Sequence, residues 1–225
     1  MSIKENLEEI RSKINSACEK SGRNPKDVTI LAVTKTIDAE RINEAVALGL
    51  CDLGENRVQE LLSKYELVKG DVRWHLIGHL QSNKVKYIAD KVCMIHSVES
   101  LSLAKEIERQ CAKINKVMDI LVEINISGEE SKSGISPEDA ENFVTEVSKF
   151  QHIRVKGLMT MAPFGAKDEE LHKIFSNLYK ISVDISSKKF DNVIMECLSM
   201  GMTGDYEIAV EENSTIVRIG TGLFK

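Results

Sequence analysis

Val28-Thr29-Ile30-Leu31-Ala32-Val33-Thr34-Lys35 is a strand-sized apolar run closed by a lysine, and a helical pattern starts near Asp38, almost at once. Gly49 is placed to stop that helix, and a second strand-like run at 51–54 follows. The alternation then continues to the end of the chain. Strand-like runs fall at 28–34, 51–54, 73–77, 92–96, 117–126, 153–159, 193–198 and 215–219, with helical patterns filling the gaps. Eight strands with helices between them, no long linker and no internal repeat point to a parallel α/β fold. A closed barrel of eight βα units typically takes about 250 residues, so 225 residues imply a compact barrel with short loops. A doubly wound open sheet is the main competitor. The count of eight favours the barrel, a single domain over 1–225.

Residues 1–21 add a helix in front of it. Ile3, Leu7, Ile10, Ile14 and Ala17 recur at four- and three-residue steps, the spacing of one apolar helix face that packs on the barrel, and Gly22 with Pro25 ends it. Further along, Leu101, Ala104, Ile107, Cys111 and Ile114 share a face, as do Leu171, Ile174, Phe175, Leu178, Ile181 and Ile185. Ser136-Pro137-Glu138-Asp139 opens another helix, with an N-cap serine, a first-turn proline and early carboxylates.

Composition narrows the function classes. The chain is 42% hydrophobic and 29% charged, and its net charge of −5 comes from mixed signs along its length. No basic footprint suggests nucleic acid. The apolar runs are far shorter than a membrane span, and the N-terminus lacks the pattern of a signal peptide. Five scattered cysteines have neither zinc-site nor redox-motif spacing. A cytoplasmic protein with reduced thiols is expected.

In a barrel the active site lies beyond the C-terminal ends of the strands, and strand residues alternate between helix layer and interior. Lys35 shares its parity with Leu31 and Val33 and is therefore expected at the barrel mouth. Desolvation there would lower its pKa and free the amine to attack a carbonyl. A solvated lysine past a strand end is the plain alternative. Phosphate sites in such barrels are commonly built by the loops after strands seven and eight. Here those loops read Leu198-Ser199-Met200-Gly201-Met202-Thr203-Gly204 and Gly220-Thr221-Gly222, with no helix expected after the second. Small residues there let backbone N–H groups approach an anion. Arg218 shares its parity with Ile216 and should point inward from the last strand. A buried guanidinium needs an acceptor; Glu123, Glu196 or a cofactor ring nitrogen would serve. Asn56 is placed as a helix cap, and His75 with His79 makes a weak case for metal.

Taken together, Leu31-Ala32-Val33-Thr34-Lys35-Thr36, Gly54-Glu55-Asn56, Trp74-His75-Leu76-Ile77-Gly78-His79-Leu80-Gln81-Ser82-Asn83-Lys84, Gly157-Leu158-Met159, Leu198-Ser199-Met200-Gly201-Met202-Thr203 and Val217-Arg218-Ile219-Gly220-Thr221 resemble one family. It is the pyridoxal phosphate homeostasis proteins, related to the N-terminal barrel of alanine racemase, and the resemblance runs end to end. It implies pyridoxal 5′-phosphate as cofactor, held as a Schiff base on Lys35. Ser199 and Thr203, with the backbone of Gly220 and Thr221, would hold the phosphate. Arg218 would face the pyridine nitrogen, and Asn56 would line the pocket. Lys132, in Ser131-Lys132-Ser133-Gly134, matches a family lysine that touches the cofactor or its exchange path. Family members often carry a second lysine and then a proline where this chain has Ile37 and Asp38, and many carry tyrosine in place of Arg57.

The resemblance implies a protein that carries or buffers the cofactor, without robust turnover, with apo-enzymes as transient recipients; without a further domain, a monomer is expected. An arginine opposite the ring nitrogen leaves that nitrogen unprotonated and weakens the cofactor as an electron sink. Alanine racemase has a second domain that supplies a catalytic tyrosine; the chain stops three residues after Gly222, so one face of the cofactor is expected to lack a base. An amino-acid racemase and a lysine-dependent aldolase are the two competing expectations.

Overall fold

The structure is a computed structural model that describes residues 2–129 and 132–225. Eight parallel strands close into a barrel in chain order: β1 (Thr29–Val33), β2 (Asp52–Glu55), β3 (Arg73–Leu76), β4 (Met94–Val98), β5 (Met118–Glu123), β6 (Ile153–Met159), β7 (Val193–Met202) and β8 (Ile216–Ile219). The last strand returns to the first, with Thr29 beside Ile216 and Leu31 beside Arg218. The open-sheet alternative is thereby excluded. Helices α2 (Ala39–Ala47), α3 (Val58–Tyr65), α4 (Leu101–Lys113), α5 (Ala140–Val147), α6 (Asp168–Ser187), α7 (Tyr206–Glu211) and the short α8 (Thr221–Phe224) lie around it, following α1 (Ile3–Ser21). Between β3 and β4 the connection is only a 3₁₀ stretch, Ser82–Tyr87.

The first helix is closed at both ends by its own sequence. Ser2 and Glu5 form a reciprocal capping box, and Gly22 ends the helix at φ 68°. Its inner face is buried as the spacing implies. Asn6 adds a specific tie: its side-chain amide donates to the Leu223 and Lys225 carbonyls, both at 3.0 Å. Arg41 of α2 donates to the Phe224 carbonyl at 2.6 Å. The segment after β8 is thus held from two helices.

Strand alternation sorts the interior. Leu31, Val33, Met94, Leu121, Met159 and Ile216 form a separate apolar cluster inside the barrel. Their neighbours Ala32, Leu53, Ile95, Ile120 and Val122 join the larger layer under the helices. Gly54 makes room for the inner cluster, since a Cβ there would lie 2.3 Å from Leu31 Cδ2.

Strand ends differ from the sequence reading by a few residues, and two of the differences have consequences for the site. β4 is shifted two residues, so His96, the last residue of the expected run, falls in the middle of the strand. β7 runs on to Met202 through a register irregularity between Ser199 and Met202. The Ser-Met-Gly string that reads as a turn is strand, with Gly201 at φ 90° packed against Ala209 and Tyr206. A helical turn also follows Gly220, where none was expected.

Candidate functional site

The C-terminal ends of β1, β7 and β8 bring together most of the residues singled out in the sequence. Lys35 stands on a turn just beyond β1, and the next residue, Thr36, has φ 63°. That left-handed conformation is uncommon for a non-glycine residue and signals a constrained turn. The constraint comes from α3 and β2. The Thr34 hydroxyl donates to Glu55 Oε1 at 2.7 Å, and Lys64 Nζ donates to the Thr34 carbonyl at 2.8 Å and to Glu55 Oε1 at 2.7 Å. Thr36 N–H donates to Glu60 Oε2 at 3.0 Å. Both neighbours of Lys35 are pinned, while Lys35 itself is exposed. Lys35 is thus exposed where a desolvated position was expected, because the turn carries it beyond the end of β1.

Thr203 and the turn after β8 meet on one side of the mouth. Gly222 N–H donates to Thr203 Oγ1 at 3.2 Å, and the Thr221 hydroxyl lies 3.4 Å from the same oxygen. A Cβ on Gly222 would come within 2.7 Å of Thr203 Cγ2, so only glycine allows this approach. Gly220 precedes it with φ −112° and ψ −84°. Two hydroxyls and closely approached backbone form a small polar cradle that suits a phosphate.

Ser199 does not belong to that cradle. It is fully buried, and its hydroxyl is within 2.7 Å of Arg218 Nη1 and 3.0 Å of His96 Nδ1. The extension of β7 places it inside the barrel, below the rim where the sequence reading had put it.

Arg218 is buried, at 4% exposure, and points inward as its parity implies. Its Nη1 donates to the Ser199 carbonyl and hydroxyl, both at 2.7 Å, and its Nη2 to the Thr160 carbonyl at 2.9 Å. Neither expected carboxylate pairs with it. Glu196 faces outward and pairs with Lys156, and Glu123 makes no hydrogen bond to the guanidinium among the described residues. Burial lowers the Arg218 pKa to about 10, against the opposing charges of Asp205 and Glu123. A guanidinium has five N–H groups; three are used here on uncharged oxygens. Such a group suits a ligand that offers a further acceptor.

Asn56 is half-buried on the rim and does not cap α3; Arg57 holds the N-cap position without a side-chain bond. Its backbone packs against Gly78, where a Cβ would lie 2.4 Å from the Asn56 carbonyl oxygen. Lys132 lies on the loop after β5, its N–H bonded to the Glu129 carbonyl at 3.0 Å; Ser131, from the same string, lies outside the described residues. His75 and His79 are not a metal pair. His75 meets His96 inside the barrel, whereas His79 bonds Glu99 at 2.7 Å. No group of three or more metal-binding side chains occurs among the described residues. Sequence reasoning missed the His75–His96 pair and the Glu55–Lys64 brace.

The fold and the lysine-bearing rim define the class: a parallel barrel of the kind described as "Alanine racemase, N-terminal domain", whose family profile matches residues 3–225. The chain belongs to the pyridoxal phosphate homeostasis protein family. It is 42% identical to the pyridoxal phosphate homeostasis protein of Aquifex aeolicus over 225 residues, covering all of this chain and 98% of that one. It is 35% identical to the protein of the same name from Escherichia coli, covering 99% and 95%. Among solved structures, PipY of Synechococcus elongatus with PLP bound superposes with a TM-score of 0.87 at 31% identity, covering both chains fully. An alanine racemase from Clostridium difficile shares the fold, with a TM-score of 0.79 at 15% identity; the match covers 99% of this chain and 56% of that one.

Proposed function

We propose that this protein binds pyridoxal 5′-phosphate at the barrel mouth and carries or buffers it, maintaining the cellular supply of the cofactor without robust turnover. The observation that carries the reading is Arg218, a buried guanidinium with spare N–H groups on β8, which pairs with the strand that leads to Lys35 and runs into the Thr221–Gly222 side of the cradle. Lys35 holds the cofactor covalently as a Schiff base. Thr203, Thr221 and the backbone of Gly220 and Gly222 hold the phosphate, Arg218 faces the pyridine nitrogen, and Asn56 lines the pocket. When bound, the cofactor supplies a reactive aldehyde and an electron sink; the arginine leaves the ring nitrogen unprotonated and keeps the sink weak.

The exposed lysine fits a carrier. A cofactor held at an open rim can be exchanged with apo-enzymes as transient recipients, which we infer to be its partners. We infer further that it acts as a monomer in the cytoplasm. No described helix is long and apolar enough to cross a membrane, and all five cysteines are free.

The test is the visible absorption spectrum of the purified protein before and after borohydride, with peptide mapping of the product. A pyridoxyl group on Lys35, absent from Lys35→Ala, is the expected result. A colourless protein that takes up no added pyridoxal phosphate overturns the reading. Deuterium entering amino-acid Cα positions at enzyme-like rates would replace the carrier with a racemase.

A further inference from the structure

A continuous row of side-chain hydrogen bonds links Arg218 to the opposite end of the barrel. Arg218 Nη1 donates to Ser199 Oγ at 2.7 Å, and Ser199 Oγ lies 3.0 Å from His96 Nδ1. His96 Nε2 lies 3.0 Å from His75 Nδ1, and His75 Nε2 lies 3.0 Å from Asp52 Oδ1. The five residues come from the inner faces of β8, β7, β4, β3 and β2. Each is buried. At the far end, Arg73 Nε donates to Asp52 Oδ1 at 2.7 Å. A cavity of about 490 Å³ bordered by Arg11, Lys26, Asp52 and Arg73 opens there.

With both imidazoles in their neutral form, the ends of the row set the direction of every bond. A guanidinium only donates, so Ser199 Oγ accepts from Arg218, and its single proton goes to its other neighbour, His96 Nδ1. His96 is neutral, because burial, with the charge of Arg218, pushes its pKa well below the usual histidine value. With Nδ1 accepting, its proton sits on Nε2 and is donated to His75 Nδ1. His75 then carries its proton on Nε2, facing Asp52. Burial raises the Asp52 carboxyl, but hydrogen bonds from His75 and Arg73, with the charge of Arg73, outweigh it and hold the pKa at about 2. The row ends on an ionised acceptor, and nowhere does donor face donor or acceptor face acceptor. Low dielectric strengthens such a row and makes any broken member costly.

We propose that His96 and Ser199 are positioning residues, which fix the direction in which Arg218 presents its remaining N–H groups to the pyridine nitrogen. His75 and Asp52 act one step further back by fixing the tautomer of His96. The proposal rests on the cofactor reading above and assigns part of that site's control to residues outside it. It also gives a role to a serine hydroxyl that is buried between Arg218 and His96. Without the Ser199 hydroxyl the guanidinium keeps only backbone carbonyls, and its plane is free to turn.

The test has a cofactor-free arm and a loaded arm. In the protein without cofactor, ¹⁵N NMR of the histidines is expected to show His75 and His96 both as Nε2–H tautomers. An Nδ1–H tautomer at His96 overturns the proposal. In the loaded arm, His96→Leu and Ser199→Ala are expected to weaken pyridoxal phosphate binding roughly tenfold, the scale of one lost hydrogen bond, and to shift the visible band. His96→Asn, whose Oδ1 can replace Nδ1 as acceptor, should recover most of both. Ser199→Ala removes one oxygen and carries the test if His96→Leu does not fold. Wild-type affinity and spectrum in Ser199→Ala overturn the proposal, and so does a His96→Asn protein as impaired as His96→Leu. A wild-type protein that takes no cofactor on Lys35 overturns the cofactor reading itself and this role with it. Labelling of Lys35 with no effect of Ser199→Ala overturns the positioning role alone.

Discussion

Lys64 Nζ sits 2.7 Å from Glu55 Oε1 in a buried ion pair, and the same ammonium donates to the carbonyl of Thr34, the residue before Lys35. The pair joins α3 to the turn that carries the lysine. Glu55 Oε2 is buried without a partner among the described residues, so the carboxylate depends heavily on Lys64 and Thr34. Breaking one side of a buried pair typically costs about 3–5 kcal/mol, because the other charge stays behind. Lys64→Met is therefore expected to lose stability on that scale in denaturant unfolding. The double variant Lys64→Met with Glu55→Leu should recover much of it. A single variant that unfolds like the wild type would show that the pair has no such role.

Glu123 predicts a pH dependence of the opposite sign to the usual carboxylate. Burial, and then the charge of Glu99, raise its pKa from 4.5 to about 7, with Arg218 opposing. A carboxyl whose folded pKa is raised contributes stability that is fully present below the unfolded pKa and lost as pH rises through the folded one. The window is therefore pH 4.5 to about 7. Glu123→Gln cannot ionise, so its stability relative to wild type should rise across this window by up to about 3 kcal/mol. Urea unfolding of the cofactor-free proteins at pH 5 and pH 8 measures it. A constant difference between the two would contradict the assignment.

Asp52 behaves in the ordinary sense. Its folded pKa is lowered from 3.8 to about 2, so its contribution is present above pH 4 and is lost as pH falls toward 2. Asp52→Asn keeps an acceptor for His75 but removes the charge. The wild type should lose up to about 2 kcal/mol more than this variant between pH 4 and pH 2, read from acid unfolding curves.

Much of the fold was legible because its signal is local. Strand-sized runs separated by periodic helices give eight βα units, and parity alone points Arg218 inward. Where the reading slipped, the deciding interaction was non-local. Gly201 in β7 reads as a turn residue, but its φ of 90° is the mark of a strand irregularity whose space is set by Ala209 and Tyr206. That extension moved Ser199 from the rim to the interior. His75 and His96 could not be paired from sequence, because their contact depends on how β3 and β4 align; the register sets His75 beside Met94. Lys64 left a usable trace. It falls three residues after Leu61 and six after Val58, on the apolar face of α3, where a charged residue calls for a buried partner.

Gly222 offers a prediction that separates phosphate recognition from folding. Its backbone lies in α8 and is not in the left-handed region, so alanine is conformationally acceptable and favoured in a helix by up to about 1 kcal/mol. The obstacle is local. The new Cβ would lie 2.7 Å from Thr203 Cγ2, and Thr203 must move, breaking the Gly222 N–H to Thr203 Oγ1 bond. Gly222→Ala should therefore unfold within about 1 kcal/mol of wild type yet bind pyridoxal 5′-phosphate roughly tenfold more weakly. Pyridoxal, which has the ring and aldehyde but no phosphate, supplies the control. Its reaction with Lys35, followed by borohydride trapping, should be the same in both proteins. Equal losses for the two ligands would move the defect away from the Thr203–Gly222 cradle and toward Lys35 or Arg218.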